Sequence, residues 1–166
     1  MPKRIVVEND PVEGTDTHNI SGTATATPTG TTPYMGTGRY DYVGKMTDAL
    51  SDSVTINGAP VALTSSQSSL NPGEDTAPAG KHFGPQGAAL TPPSPPGVAI
   101  IPETLTITDT TIGVGTPSAS AGSTLVTIGG VPVLLDGDRI DTCDGLSTPM
   151  NSTVTAETQD LVSCSQ

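Results

Sequence analysis

Four side chains in this sequence have the chemistry to hold a borderline-soft metal ion: His18, His82, Cys143 and Cys164. Imidazole nitrogen and thiolate sulfur are favoured donors for zinc, and a closed structural site arranges four of them as a tetrahedron. The count of ligands matches that requirement. Their spacing does not concentrate them, because no two stand at the C-x-x-C or H-x-x-x-H separation by which one turn or one helix delivers two ligands together. All four must therefore converge from distant segments if they share an ion. The plain alternative is two solvated imidazoles, a buried thiol and a cysteine on a frayed C-terminus.

Other chemistry is weaker. Asp136, Asp138, Asp141 and Asp144 place carboxylates close together, as calcium ligands require, but without the D-x-D-x-D-G order and closing Glu of a calcium loop. Aspartates so placed serve turns more often. Gly113-Val114-Gly115 leads into Thr116-Pro117, where proline opposes the helix that a phosphate cradle needs, and no Gly-Lys-Ser/Thr follows. There is no G-x-S-x-G elbow to expose a nucleophilic serine. The expectation is a protein that is not an enzyme.

The elements that must position these residues announce themselves by repetition. Val54-Thr55-Ile56-Asn57-Gly58-Ala59-Pro60-Val61 returns as Val126-Thr127-Ile128-Gly129-Gly130-Val131-Pro132-Val133, both reading V-T-I-x-G-x-P-V. Each copy predicts a short strand, a tight turn at glycine, and a strand restarted at proline. Thr104 to Asp109 reads as a degenerate third copy.

Composition agrees with a small β body. Among 166 residues, Thr fills 27 positions, Gly 19 and Pro 16, and only 33% are hydrophobic. That mixture favours short strands and turns and leaves no stretch for a long helix. A large core is not expected, and two cysteines are too few for a disulfide framework. A structural metal would offset the deficit, since zinc contributes on the order of 10 kcal/mol to the folding of small domains. The net charge of -11 repels phosphate and excludes nucleic acid as a partner. Met1-Pro2-Lys3-Arg4 is followed by too short an apolar run for a signal peptide, so synthesis in the cytoplasm without one is expected.

The expected organisation is a single domain over 1–166. Residues 1–45 form an extended or loop-like N-terminal region and 46–64 the first β repeat, with Asp41 to Leu50 read as a loop leading into it. Residues 65–97 are a Pro/Ser/Gly-rich excursion, and 98–166 are the main β body with the second repeat.

Ser53 to Ala62 and Gly129 to Asp138 resemble the strand-turn units of the proline-alanine-alanine-arginine (PAAR) repeat family, the pointed tips of contractile injection machines. Glu13 to Asn19, Tyr40 to Asp48 and Gly80 to Pro85 are similar to the PAAR-like tip proteins of extracellular, phage-tail-like systems. Pro60 is followed by Val61-Ala62 and Pro132 by Val133-Leu134, in place of the residues that name the family. The resemblance implies an all-β fold, a small conical PAAR-like β-repeat domain with long loops and little or no helix. It implies a non-enzymatic spike tip, one copy per trimer of a β-helical spike protein, with three similar faces at its base. Effector cargo and, transiently, the target membrane are the further partners, and the particle is released outside the cell. It also implies structural zinc near the apex, through His18, His82, Cys143 and Cys164. The competing expectation is a secreted acidic β-rich adhesive or binding module, stabilised by calcium through the Asp136 to Asp144 cluster.

Overall fold

The computed structural model describes residues 1–25, 30–72, 89–91, 98–108, 113–142 and 151–164. The chain is all-β, and no helix occurs among the described residues. Its strands in chain order are β1 (Lys3–Arg4), β2 (Pro11–Thr25), β3 (Thr31–Asp48), β4 (Thr55–Ile56), β5 (Ala59–Pro60), β6 (Gln67–Leu70) and β7 (Ala89–Thr91). They continue with β8 (Ile100–Ile107), β9 (Val114–Pro117), β10 (Thr127–Ile128), β11 (Val131–Pro132), β12 (Arg139–Thr142), β13 (Ser152–Val154) and β14 (Ser163–Cys164).

The two copies of the repeated phrase fold alike. Thr55 pairs with Pro60 and Ile56 with Ala59, while Thr127 pairs with Pro132 and Ile128 with Val131. Both turn residues have positive φ in each hairpin, 54° and 82° at Asn57-Gly58 and 60° and 86° at Gly129-Gly130. That is the geometry of a type I′ turn, whose twist matches that of the flanking strands.

A third unit exists, and it is not Thr104 to Asp109. Thr104 to Ile107 belong to β8, which pairs with β2 elsewhere in the sheet, and Asp109 lies outside the described residues. The third hairpin is assembled from the two ends of the chain, with Lys3 opposite Cys164 and Arg4 opposite Ser163. The hydrogen bonds show the equivalence. The amides of Val61, Val133 and Ile5 donate to the carbonyls of Val54, Val126 and Val162 at 3.1, 3.1 and 3.2 Å. Ser51 and Ser123 accept from the amides two and three residues ahead, and in the third unit Gln159 Oε1 does the same for Leu161 and Val162.

Each hairpin leads into an apolar triplet: Ile5-Val6-Val7, Val61-Ala62-Leu63 and Val133-Leu134-Leu135. Their middle residues meet in a closed cycle. Val6 donates to Leu134 O at 3.0 Å, Leu134 to Ala62 O at 2.9 Å, and Ala62 to Val6 O at 2.9 Å. The outer residues bridge in the same rotation, Ile5 to Leu135, Val7 to Val61 and Leu63 to Val133. Past each triplet a side chain closes the turn: Asp10 accepts from Val7 N, Ser66 from Leu63 N and Asp138 from Leu135 N, at 2.8, 2.8 and 2.9 Å. The body therefore has internal pseudo-threefold symmetry.

Strands leaving and entering the three units pair edge to edge in the order β3, β6, β9, β12, β13, β2, and β2 pairs back onto β3. All these pairings are antiparallel, so the ring closes without an open edge. Its interior holds Val6, Val12, Tyr42, Met46, Ala62, Leu134, Ile140, Val154 and Ala156, all fully buried. On the other side of the triplets a second apolar layer, with Ile5, Val7, Ile56, Val61, Leu63, Val133 and Leu135, lies under the hairpins.

Much of the N-terminal region read as extended or loop-like is strand, Pro11–Thr25 and Thr31 onward, and so is most of Asp41 to Leu50, which continues β3 to Asp48. Here Tyr40, Tyr42 and Met46 turn inward and Asp41, Val43, Lys45 and Thr47 outward, a period of two that overrides the faint helical spacing. The β2–β3 hairpin is longer than the ring is tall. Beyond Gly14, where β13 pairs, β2 runs eleven more residues to Thr25, about 37 Å at ~3.4 Å per residue. This arm is widened by β7 on β3 and β8 on β2, and a third cluster, Ile20, Ala24, Tyr34, Tyr40 and Leu105, fills its buried face.

Gly130→Val forces a branched side chain into left-handed backbone and is expected to lower unfolding stability by about 1–2 kcal/mol. Gly129→Asn recreates the Asn57-Gly58 turn and should stay within about 0.5 kcal/mol of the parent. Urea unfolding of the two variants measures both.

Candidate functional site

The register of the long hairpin brings His18 to the arm's interior. Even-numbered residues of β2 face inward, so Asp16, His18 and Ile20 share one buried face. His18 Nε2 lies 3.4 Å from Asp16 Oδ2, and both side chains are wholly buried. Gly38 stands directly opposite His18, and a Cβ there would come within 2.8 Å of the Tyr40 ring. The absence of a side chain at Gly38 lets Tyr40 lie across the strand, its ring centroid 5.8 Å from that of His18 and tilted by 55°. Burial, then the neighbouring Tyr34, then the carboxylate of Asp16 push the Tyr40 phenol above its ordinary value of 10.0. Burial alone raises Tyr34.

Cys164 sits at the other end of the molecule. It is half-buried under the hairpins, where its thiol donates to Ser123 Oγ at 3.7 Å. It occupies the place that Ile56 and Ile128 hold in the other two units, so its role there is that of a small apolar residue. From Val12, inside the ring, to His18 the strand advances six residues, roughly 20 Å. The ring's core lies between the two clusters that hold His18 and Cys164. They cannot share one ion at zinc-ligand distances of about 2.0–2.3 Å. His82 and Cys143 lie outside the described residues. Among the described residues, no group of three or more His, Cys, Asp or Glu side chains is placed to hold a metal ion.

Two of the aspartates considered for calcium bond to backbone amides. Asp138 Oδ2 accepts from the amides of Leu135 and Gly122 at 2.9 and 2.8 Å, and Asp136 Oδ1 accepts from Ala156 N at 2.9 Å. Both tie turns of the threefold body together. Asp141 lies on β12, and Asp144 falls outside the described residues.

The surface that sequence reasoning left aside is the hairpin pole. Leu125 and Leu161, at equivalent positions in the second and third units, are 69% and 68% exposed, and Val54 and Val162 are each 39% exposed. They lie at the same end as the turns at Asn57-Gly58 and Gly129-Gly130, interspersed with the charged side chains of Lys3, Arg4, Asp52 and Asp160. The signal was present in the sequence: Ser53-Val54-Thr55-Ile56, Leu125-Val126-Thr127-Ile128 and Leu161-Val162-Ser163-Cys164 are one phrase in three spellings.

No protein-family model matches the chain, and neither does any curated protein or solved structure.

The raised tyrosines give an alkaline limb to stability. The folded state keeps the phenolic protons of Tyr34 and Tyr40 more tightly than the unfolded chain. Their contribution is therefore complete below pH 10 and is lost as pH rises from there through the folded-state values. Ultraviolet titration of the native protein should show these phenolates forming later than in urea-unfolded chain. Coincident titrations would contradict the burial of both rings.

Proposed function

We propose that the chain is a non-enzymatic spike-tip protein that caps the trimeric spike of a contractile injection system and helps it breach a target membrane. The observation that carries this reading is the pseudo-threefold symmetry within a single chain. A monomer with three similar faces matches a partner whose own axis is threefold, because each subunit of the trimer meets an equivalent unit of the tip. A monomer without such symmetry offers one good contact and two poor ones. The PAAR-like resemblance of the repeat units supports the same partner.

The hairpin pole is the proposed docking end. Its exposed apolar side chains gain from burial at about 25 cal/mol per Å², and they recur around the axis that the spike would share. The long arm then points away from the spike and leads when the sheath contracts. A closed sheet resists such a load through many backbone hydrogen bonds acting together, each worth about 0.5–1.5 kcal/mol net. Effector cargo is a further proposed partner. The calcium-stabilised adhesive module draws less support, since Asp136 and Asp138 serve backbone amides.

Structural zinc remains part of the proposal, with a narrower set of ligands. His18 is the described member proposed for it, an imidazole held in the arm beside the Asp16 carboxylate, the kind of partner that orients metal-binding histidines. His82 and Cys143 are the proposed companions, and Cys164 stands apart. Elemental analysis of purified protein is expected to find about one zinc per chain, lost in His18→Ala and kept in Cys164→Ala. Zinc that survives the first change, or vanishes only with the second, overturns this assignment.

Leu125→Glu combined with Leu161→Glu places two charges on the docking rim without touching the ring interior. Capture of the chain on an immobilised trimeric spike is expected to fall at least tenfold. The thermal midpoint should stay within a few degrees of the parent, as for surface substitutions. Met35→Glu, on the exposed side of the arm, should leave capture unchanged.

A further inference from the structure

We propose that residues 151–164 act as a C-terminal strap that closes the ring in a separable step, opening and reclosing while the three central triplets stay joined. Two of the three units are covalently continuous through their type I′ turns. The third is not, because its hairpin joins β1 at one end of the chain to β14 at the other. Everything that holds this seam is noncovalent and comes from one short segment.

The strap's attachments are chiefly hydrogen bonds. In the sheet, β13 lies between β12 and β2. Val154 N donates to Asp138 O at 3.1 Å and Thr155 N to Pro11 O at 3.0 Å. The buried carboxylate of Asp10 accepts from the amides of Glu157 and Thr158 at 2.9 and 2.7 Å. Gln159 is the clasp. Its Nε2 donates to Ile5 O at 2.7 Å and to Val162 O at 2.9 Å, bridging the two chain ends, while its Oε1 holds the amides of Leu161 and Val162. In the other units the bond equivalent to the Ile5 contact is made by backbone, from Ser51 N to Val61 O and from Ser123 N to Val133 O.

The apolar anchoring is slight by comparison. Val154 and Ala156 are fully buried and Cys164 packs against the layer under the hairpins, but Leu161 is 68% exposed and Val162 39%. Native proteins open in cooperative units, and a segment with few buried apolar contacts opens at a lower free energy than the whole. The Val6, Ala62 and Leu134 amides bond to one another without using the strap. Opening the strap frees one edge each of β2 and β12 and leaves that cycle intact. Such edges accept an extended strand.

Amide hydrogen exchange on the full chain, resolved by residue, tests the proposal. The amides of Ile5, Val154, Thr155, Glu157, Thr158 and Val162 are expected to exchange as one group, at least tenfold faster than those of Val6, Ala62 and Leu134. Gln159→Ala should speed the first group by about a further tenfold, the effect of losing a buried hydrogen-bond clasp, and leave the second unchanged. Equal rates for both groups in the parent chain overturn the proposal. So does a Gln159→Ala change that accelerates both groups alike.

Discussion

The cycle of backbone hydrogen bonds that joins Val6 to Leu134, Leu134 to Ala62 and Ala62 to Val6 is the constraint on which the rest of this structure depends. Three strands meeting head to side around an axis leave no room for large deviations, since each amide must find the next unit's carbonyl. The side chains on either side of that plane then sort themselves. Val6, Ala62 and Leu134 face the ring interior, and their neighbours Ile5, Val7, Val61, Leu63, Val133 and Leu135 face the layer under the hairpins. One small hydrogen-bonded element thus separates two apolar clusters and serves both. A chain that is only 33% hydrophobic is organised by backbone geometry more than by a deep core.

Turn chemistry carries the repetition outward from this centre, and it tolerates variation where the physics allows. Asp10, Ser66 and Asp138 differ in charge but present an oxygen at the same place. Gln159 is longer than Ser51 and Ser123, and it reaches across the hairpin whose two strands are far apart in the sequence. Asn57 and Gly129 both accept left-handed backbone. What is held constant is the hydrogen bond, not the residue.

That explains which parts of the fold could be read from the sequence. The all-β class and the two hairpins were legible because glycine, proline and alternating Val/Ile mark them directly. The third unit was hidden by its division between Lys3-Arg4 and Ser163-Cys164, which no search for a contiguous repeat connects, although Leu161-Val162-Ser163-Cys164 keeps its outline. The long β2–β3 arm was obscured because its outward face is rich in Thr and its inward face is interrupted by Gly22, Gly36 and Gly38, which reads as loop until a partner strand is supplied. The candidate site was legible only as a count of ligands. Spacing along the chain could not reveal that His18 lies in the arm beside Asp16 while Cys164 replaces an isoleucine under the hairpins. The docking rim was overlooked because an exposed leucine gains meaning only when its threefold counterparts are known.

The proposed role requires that the internal symmetry be used against a threefold partner. Native mass spectrometry of the purified chain mixed with a trimeric β-helical spike protein is the most direct measurement. One chain bound to each trimer is the predicted result, with no species of three chains per trimer even when the chain is in excess. Three chains per trimer, or no complex with the spike at any ratio, would contradict it.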